Sequence, residues 1–470
     1  MPNSYDVIVI GAGPAGENAA DYARQRGLTA AIVEAELVGG ECSYWGCMPS
    51  KALLRPTEVL AAARRVPAAA AAITGEVDVG KVLRNRDAFA SNWEDKGQVD
   101  WLEGAGVELH RGHGRLVGEK VVEVVAEDGS VTRLEAREGV VIGVGTRAAH
   151  PPIDGLTDVA TWDNRDITEA KQIPDRLLVL GGGVIGIEMA QAFARLGADE
   201  VTVIEALDGV LSVEEPFVSD EIVAALGADG ITFHLGARAE QVRREGSDGP
   251  VTVTLAGGDE ITGDELLVAV GRRAPTDQLG LDTIGVEPGR GGFIEVDDHL
   301  RVPGHDWLYV VGDANGRALL THQGKYQARL VGDALAGVDV DPAWADEHAV
   351  PRVIYSDPQV AAVGLTEAQA REAGHDVTTV AYNVGHSAGG ALLGKGTDGT
   401  AKLVIDRHRR TILGATFVGP GVGEMLHAAT VAVVSEITVD RLWHAVPPFP
   451  TVSEVWLRLL EQVRAHDLGD

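Results

Sequence analysis

The apolar runs of the chain and the spacing between them divide it into recognisable elements. Val7-Ile8-Val9-Ile10 is a β-branched run of the kind that fills a strand buried on both faces of a parallel sheet. An Ala-rich stretch from Glu17 to Arg26 reads as helix, and Thr29 to Val33 as a second strand ending at Glu34. Ser50 to Leu60 reads as helix, and Ala61 to Ala72 as a surface helix interrupted at Pro67. From about Val107 to Val144 apolar and polar residues alternate with glycine between, which predicts a small antiparallel insertion closed by a strand at 140–146. His150-Pro151-Pro152 is a linker. The opening order then recurs as strand Arg176–Leu180, helix Ile187–Leu196 and strand Val201–Ile204, with further strands at Leu266–Arg273 and Leu308–Asp313. Beyond about Ala349 the pattern changes. Strands are expected at Val360–Leu365, Lys402–Ile405 and Ile412–Val418, and long helices at Gly423–Ile437 and Val452–His466.

Both strand–helix junctions carry the same glycine spacing. The first is Gly11-Ala12-Gly13-Pro14-Ala15-Gly16 and the second Gly181-Gly182-Gly183-Val184-Ile185-Gly186. The first glycine permits the tight turn, the second lets a pyrophosphate approach the backbone, and the third lets helix and strand pack closely. The helix N-terminus then turns its positive end toward the phosphates. An acid ends the following strand each time, Glu34 and Glu205, where a carboxylate can bind ribose hydroxyls. Glu205 would repel a 2′-phosphate, and 206–210 hold Asp208 but no arginine, so the second site is expected to take NAD(H) rather than NADP(H). The fold class that follows is α/β: two Rossmann-like dinucleotide-binding domains and a C-terminal α+β module. The expected limits are residues 1–150 completed by 277–347, then 151–276, then 348–470.

A net charge of −30 excludes nucleic acid as a partner and is read as solubility. No run approaches the roughly 20 apolar residues of a membrane span, and no signal segment is seen, so a cytoplasmic protein is expected. The cysteines change the picture more. The chain has only two, Cys42 and Cys47, both inside Gly39-Gly40-Glu41-Cys42-Ser43-Tyr44-Trp45-Gly46-Cys47-Met48-Pro49-Ser50-Lys51. A bond across so short a loop would stabilise little, and a zinc site would need two more ligands that are not close in sequence, so no metal is expected. A redox pair is the better reading. Cα atoms five apart in a regular helix are about 8 to 9 Å apart, while a disulfide needs less than about 7 Å. The helix carrying them must therefore be distorted, and Gly46 and Pro49 are the residues that permit it.

In this order the motifs resemble the FAD- and pyridine-nucleotide-dependent disulfide reductases, nearest the branch of lipoamide dehydrogenase and mercuric reductase. The resemblance covers essentially the whole chain. It implies a homodimer with FAD and NAD(H) as cofactors. FAD contacts would come from Gly11, Gly13, Pro14, Ala15, Gly16, Glu34, Gly40, Lys51, Gly114, Gly312 and Asp313, the last binding the ribityl chain. NAD contacts would come from Gly181, Gly183, Val184, Ile185, Gly186, Glu188, Glu205 and Gly271. It implies hydride transfer from NADH to flavin N5, then reduction of a Cys42–Cys47 disulfide. Cys47 would be the flavin-facing thiol and Cys42 the exchange thiol. Lys51, paired with Glu188, would support N5. On residues alone Asp313 could equally cap the helix starting near Leu320.

One departure bears on function. The family's catalytic base is a histidine in a His-Pro motif with a glutamate five residues on, reaching the partner subunit's active site. Here that stretch is Phe449-Pro450-Thr451-Val452-Ser453-Glu454, with Phe449 at the base position. Mercuric reductases lack the histidine too but carry a C-terminal cysteine pair, which this chain lacks. His444 and Glu454 are the candidate substitutes, although His444 more simply orients a loop or caps a helix. The expected activity is an NADH-dependent reductase for a small acceptor such as a quinone. Phe449, Trp45 and Tyr44 would line an aromatic pocket for it. The alternatives are a dihydrolipoyl dehydrogenase with a relocated base, or a flavin redox sensor.

Overall fold

The computed structural model describes residues 3–247 and 249–467; the outer ends of the first and last expected domains lie outside them. The chain forms two compact units. One comprises 1–49, 86–149 and 272–347, and the other 50–85, 150–271 and 348–470.

In the first unit the β-branched run is the centre of a seven-stranded sheet. Its strands are β1 (Asn3–Ile10), β2 (Ala30–Glu34), β3 (Val107–Arg111), β4 (His113–Gly118), β5 (Val121–Val125) and β6 (Val131–Ile142). Their order is β3-β2-β1-β6-β5-β4, and Leu308–Val310 adds in parallel to β6. Val7, Ile8 and Val9 are fully buried because apolar side chains cover both faces. The helix α1 (Pro14–Gln25) lays Gly16, Ala19, Ala20 and Ala23 against one face. Small residues there let α1 and the helix Thr321–Leu335 pack closely.

The antiparallel insertion expected over 107–144 is a partial description. β4, β5 and the first half of β6 are antiparallel, but β3 joins β2 in parallel and β6 runs parallel to β1. One twelve-residue strand thus serves the hairpin and the central sheet, a dual role that alternation does not reveal.

In the second unit a four-stranded parallel sheet has the order Ile231–His234, Glu200–Ile204, Arg176–Leu180, Glu265–Val268. A three-stranded antiparallel sheet over 239–263 belongs to the same unit. The C-terminal portion is a five-stranded antiparallel sheet, including Gln359–Gly364, Val377–Asn383, Thr400–Asp406 and Ile412–Gly419, with helices Leu426–Val434 and Glu454–Asp467. Its core gathers Leu403, Phe417, Val455 and Leu459.

Candidate active site

The two glycine turns have the same steric logic. A Cβ on Gly16 would lie 1.9 Å from the Gly11 carbonyl oxygen, and one on Gly186 2.0 Å from that of Gly181. Gly11 and Gly181 hold φ of +98° and +107°, and a Cβ there would strike the carbonyls of Gly143 and Ala269. The middle glycines differ: around Gly13 and Gly183 an added Cβ would meet nothing within 4 Å. Only these two leave room on the helix N-terminal side, which is the cradle a pyrophosphate requires.

Each acid is fixed on its own turn. The Ala12 amide donates to Glu34 Oε2 at 2.7 Å and the Glu36 amide to Oε1 at 2.8 Å. The Gly182 amide donates to Glu205 Oε2 at 2.6 Å and the Leu207 amide to Oε1 at 2.8 Å. Both carboxylates are therefore held in place by the backbone of their own turns.

The cysteine stretch sits on the first turn. The Gly39 amide donates to the Ala12 carbonyl at 2.8 Å, and Gly40, with φ +57°, would place a Cβ 2.8 Å from Gly13 Cα. A short helix, α2 (Gly40–Tyr44), carries Cys42. It ends at Trp45, and α3 (Cys47–Arg65) begins at Cys47. The expected distortion is a full break at Trp45–Gly46. It brings the sulfurs 2.7 Å apart as free thiols, Cys42 donating toward Cys47. Thr321 Oγ1 lies 3.3 Å from Cys47 Sγ, at the first residue of the helix Thr321–Leu335. The Cys47 sulfur thus meets two helix N-termini, the setting that favours a thiolate. The Cys42 thiol is pushed up, first by the Cys47 sulfur and then by burial, with Thr321 and Lys325 pulling the other way.

Asp313 does not cap the helix at Thr321, whose N-cap Leu320 makes no side-chain bond. Thr146 Oγ1 donates to Asp313 Oδ2 at 2.6 Å, and Arg272 Nε donates to Thr146 Oγ1 at 2.7 Å. Arg272 reaches Glu41 at 3.4 Å. Burial raises the Asp313 carboxyl above its usual range. Gly312, with φ +70°, is anchored by Gln327 Oε1 at 2.7 Å and would place a Cβ 2.9 Å from that of Ala15. The second segment therefore abuts the first turn. Gly114 is demanded by packing, since a Cβ there would lie 3.0 Å from Ile10 and Val33 side chains.

In the second unit Lys51 Nζ donates to Glu188 Oε2 at 2.8 Å, and the Tyr355 amide donates to Oε1 at 2.9 Å. The Glu188 side chain is only 3% exposed, and Lys51 lies 4.9 Å from the Tyr355 ring centroid. The pair inferred from sequence is thus present. Val184 and Gly271 stand open, Gly271 with φ +145°.

The base candidates and the aromatic pocket fare differently. Phe449 is 76% exposed in its unit. Tyr44 is fully buried, its hydroxyl donating to the Val38 carbonyl at 2.9 Å, and Trp45 is buried as well. Neither lines an open aromatic pocket; the break between α2 and α3 turns both rings inward. Glu454 starts the last helix, with Arg458 at 2.5 Å on one oxygen and the Ala388 amide at 3.1 Å on the other, so its carboxylate is committed to structure. His444 lines a cavity of about 310 Å³ with Arg410, Asp440, Trp443 and Arg464. Thr321, Thr146, Arg272 and Tyr355 had no signature in sequence. Thr146 and Arg272 lay at expected strand ends, the only hint available.

A family model described as pyridine nucleotide-disulphide oxidoreductase matches residues 5–328, and that family's dimerisation domain matches 350–459. The chain belongs to the pyridine nucleotide-disulphide oxidoreductase family. It is an oxidoreductase whose cofactors are FAD and NAD(P)H. It is 36% identical to dihydrolipoyl dehydrogenase 3 of Pseudomonas aeruginosa, over 97% of each chain. It is 33% identical to mercuric reductase of Streptomyces lividans, covering 99% of this chain and 97% of that one. Among solved structures, LpdA from Mycobacterium tuberculosis matches with a TM-score of 0.86 at 26% identity, covering 97% of this chain and 99% of that one. The HOCl-induced flavoprotein disulfide reductase RclA from Escherichia coli matches with a TM-score of 0.85 at 25% identity, covering 98% of this chain and 100% of that one. Among the described residues, no helix is long and apolar enough to cross a membrane, and no group of three or more His, Cys, Asp or Glu could hold a metal.

Proposed function

We propose that the chain is an NADH-dependent flavoprotein reductase whose Cys42–Cys47 pair passes electrons to a small acceptor of the quinone class. The observation that carries this is the pair itself: two thiol sulfurs 2.7 Å apart across a helix break, in a chain whose base position holds Phe449. FAD, when bound, supplies the two-electron chemistry that links a nicotinamide to a disulfide. Residues 1–150 with 277–347 would hold it, through Gly11, Gly13, Pro14, Ala15, Gly16, Glu34, Gly40, Gly312 and Asp313. Residues 151–276 would hold the nicotinamide nucleotide and 348–470 would form the homodimer. Glu205, fixed on its turn, favours a free ribose hydroxyl and hence NADH. Lys51 keeps a positive charge fixed by Glu188.

Exchange with a disulfide substrate needs a base at the outer thiol. Phe449 cannot serve, and Glu454 is already bound by Arg458 and Ala388. A quinone takes electrons without forming a mixed disulfide, so it fits better than lipoamide. Steady-state assays of NADH oxidation test this. Turnover with a benzoquinone should exceed that with lipoamide by about a hundredfold, the usual worth of a general base. Equal turnover with lipoamide would overturn the reading.

A further inference from the structure

The hydroxyl of Thr146 has one hydrogen to give, and its neighbours fix where that hydrogen goes. Arg272 holds Thr146 at two points, its Nε donating to Oγ1 at 2.7 Å and its Nη2 to the carbonyl at 2.6 Å. An arginine stays charged and can only donate. Thr146 Oγ1 is therefore an acceptor toward Arg272, and its own hydrogen goes to Asp313 Oδ2 at 2.6 Å. The chain runs in one direction, from guanidinium to hydroxyl to carboxyl, and ends on an acceptor. It occupies one oxygen of Asp313 and leaves Oδ1, which accepts no hydrogen bond among the described residues.

The backbone sets where Arg272 stands. Arg272–Arg273 pairs antiparallel with Arg147–Ala148, Arg272 opposite Ala148, so the guanidinium starts on the strand beside Thr146. Its Nη2 also reaches Glu41 Oε2 at 3.4 Å, on α2 next to Cys42. Arg272 and Glu41 are the charged groups that face Asp313. α1 and the helix Thr321–Leu335 meet the same turn with Ala15, Gly324 and Gln327, none of which titrates. Glu17 of α1 and Lys325 of that helix act on each other. Burial opposes a charge on Asp313; Thr146 and Arg272 favour one, and Glu41 opposes it.

We propose that Arg272 is a positioning residue for FAD: through Thr146 it holds Asp313 as a carboxylate, with Oδ1 left to accept from a ribityl hydroxyl. This rests on the placement of FAD on the first turn and on Asp313 proposed above. Arg272 acts at a distance, by fixing the direction of the Thr146 hydroxyl and by offsetting the charges of both Asp313 and Glu41. Without it two carboxylates would share a mostly buried site. Asp313 would then take up a proton and present a donor where an acceptor is needed. Glu41 acts on Asp313 in the opposite sense to Arg272, although the two form one ion pair.

Holoenzyme is diluted and the release of FAD followed by its fluorescence from about pH 5 to about pH 9, with circular dichroism recording the fold at each pH. Wild-type release should quicken as pH falls and Asp313 becomes protonated. Arg272→Met should quicken release about tenfold at about pH 8. It should also shift the pH-dependent rise upward, since a lost cation makes a carboxyl harder to ionise. Glu41→Gln should shift the rise downward. Thr146→Val should quicken release and shrink the shift that Arg272→Met produces. A residue that merely packs would speed release equally at every pH, so an Arg272→Met enzyme with an unmoved rise would overturn the proposal. A shift as large in the Thr146→Val background as in the wild type would overturn it too. Should Arg272→Met not yield holoenzyme, a Glu41→Gln rise that stays in place or moves upward would do the same. Release from Asp313→Ala as slow as from the wild type would instead remove the placement of FAD itself, and Arg272's role with it.

Discussion

The two glycine turns share a backbone and differ in the two residues that follow. After Gly16 come Glu17 and Asn18; after Gly186 come Ile187 and Glu188. Ile187 is fully buried in the apolar core of its unit, where Glu17 leaves a carboxyl oxygen unpaired. Glu188 is satisfied on both oxygens, by Lys51 and the Tyr355 amide, where Asn18 only folds back on the Pro14 carbonyl at 2.8 Å. The nucleotide cradle is thus set by sterics common to both turns. The two turns differ one or two residues further on, where one carboxyl oxygen is left unpaired in one unit and both are paired in the other.

Gly16→Ala and Gly186→Ala each force a Cβ within about 2 Å of a carbonyl oxygen, and each should cost more than about 4 kcal/mol or prevent folding, read by denaturant midpoints. Gly13→Ala and Gly183→Ala meet no protein atom, so they should leave the fold intact and weaken only the nucleotide at their own turn. Lys51→Met tests the paired carboxylate: it strands Glu188 in a 3% exposed site and should destabilise by about 3 kcal/mol, the lower end for a broken buried pair because Lys51 is partly solvated.

Glu17→Gln tests the unpaired carboxylate and should act in the opposite direction. A carboxyl raised on folding binds its proton more tightly in the native state, so the wild type loses stability as pH rises from about 4.5 to about 7. The amide removes that dependence, and at pH 8 the variant should be more stable by about 2 kcal/mol, measured by thermal melts across pH. The smallest effect is expected for Glu205→Ala. It should raise the KM for NADH about tenfold with little change for NADPH, in steady-state assays, from the loss of one charge-assisted hydrogen bond to the ribose.

Much of this was legible in the chain itself. Strand, glycines, helix, strand and acid in order gave both turns, because each residue there answers a local steric demand that survives as a spacing. Glu34 and Glu205 followed from the same register, and the Lys51–Glu188 pair from the family resemblance alone. What could not be read were contacts between distant segments. Thr321 beside Cys47, and the Arg272–Thr146–Asp313 chain, join residues more than a hundred positions apart. The inward turn of Tyr44 and Trp45 depends on where the helix breaks, and the sequence marks Gly46 only as permitting a break. Glu17 was visible as an acid beside an Ala-rich packing face, but its missing partner emerged only once the helix Thr321–Leu335 closed over α1.

The proposed function stands or falls on the cysteine pair carrying electrons. Anaerobic titration of the purified holoenzyme with NADH tests it most directly. A long-wavelength thiolate–flavin absorbance should grow to completion at two electrons per subunit, and Cys47→Ser should abolish it. Direct bleaching of the flavin by the first equivalent of NADH, with no such absorbance in the wild type, would contradict it.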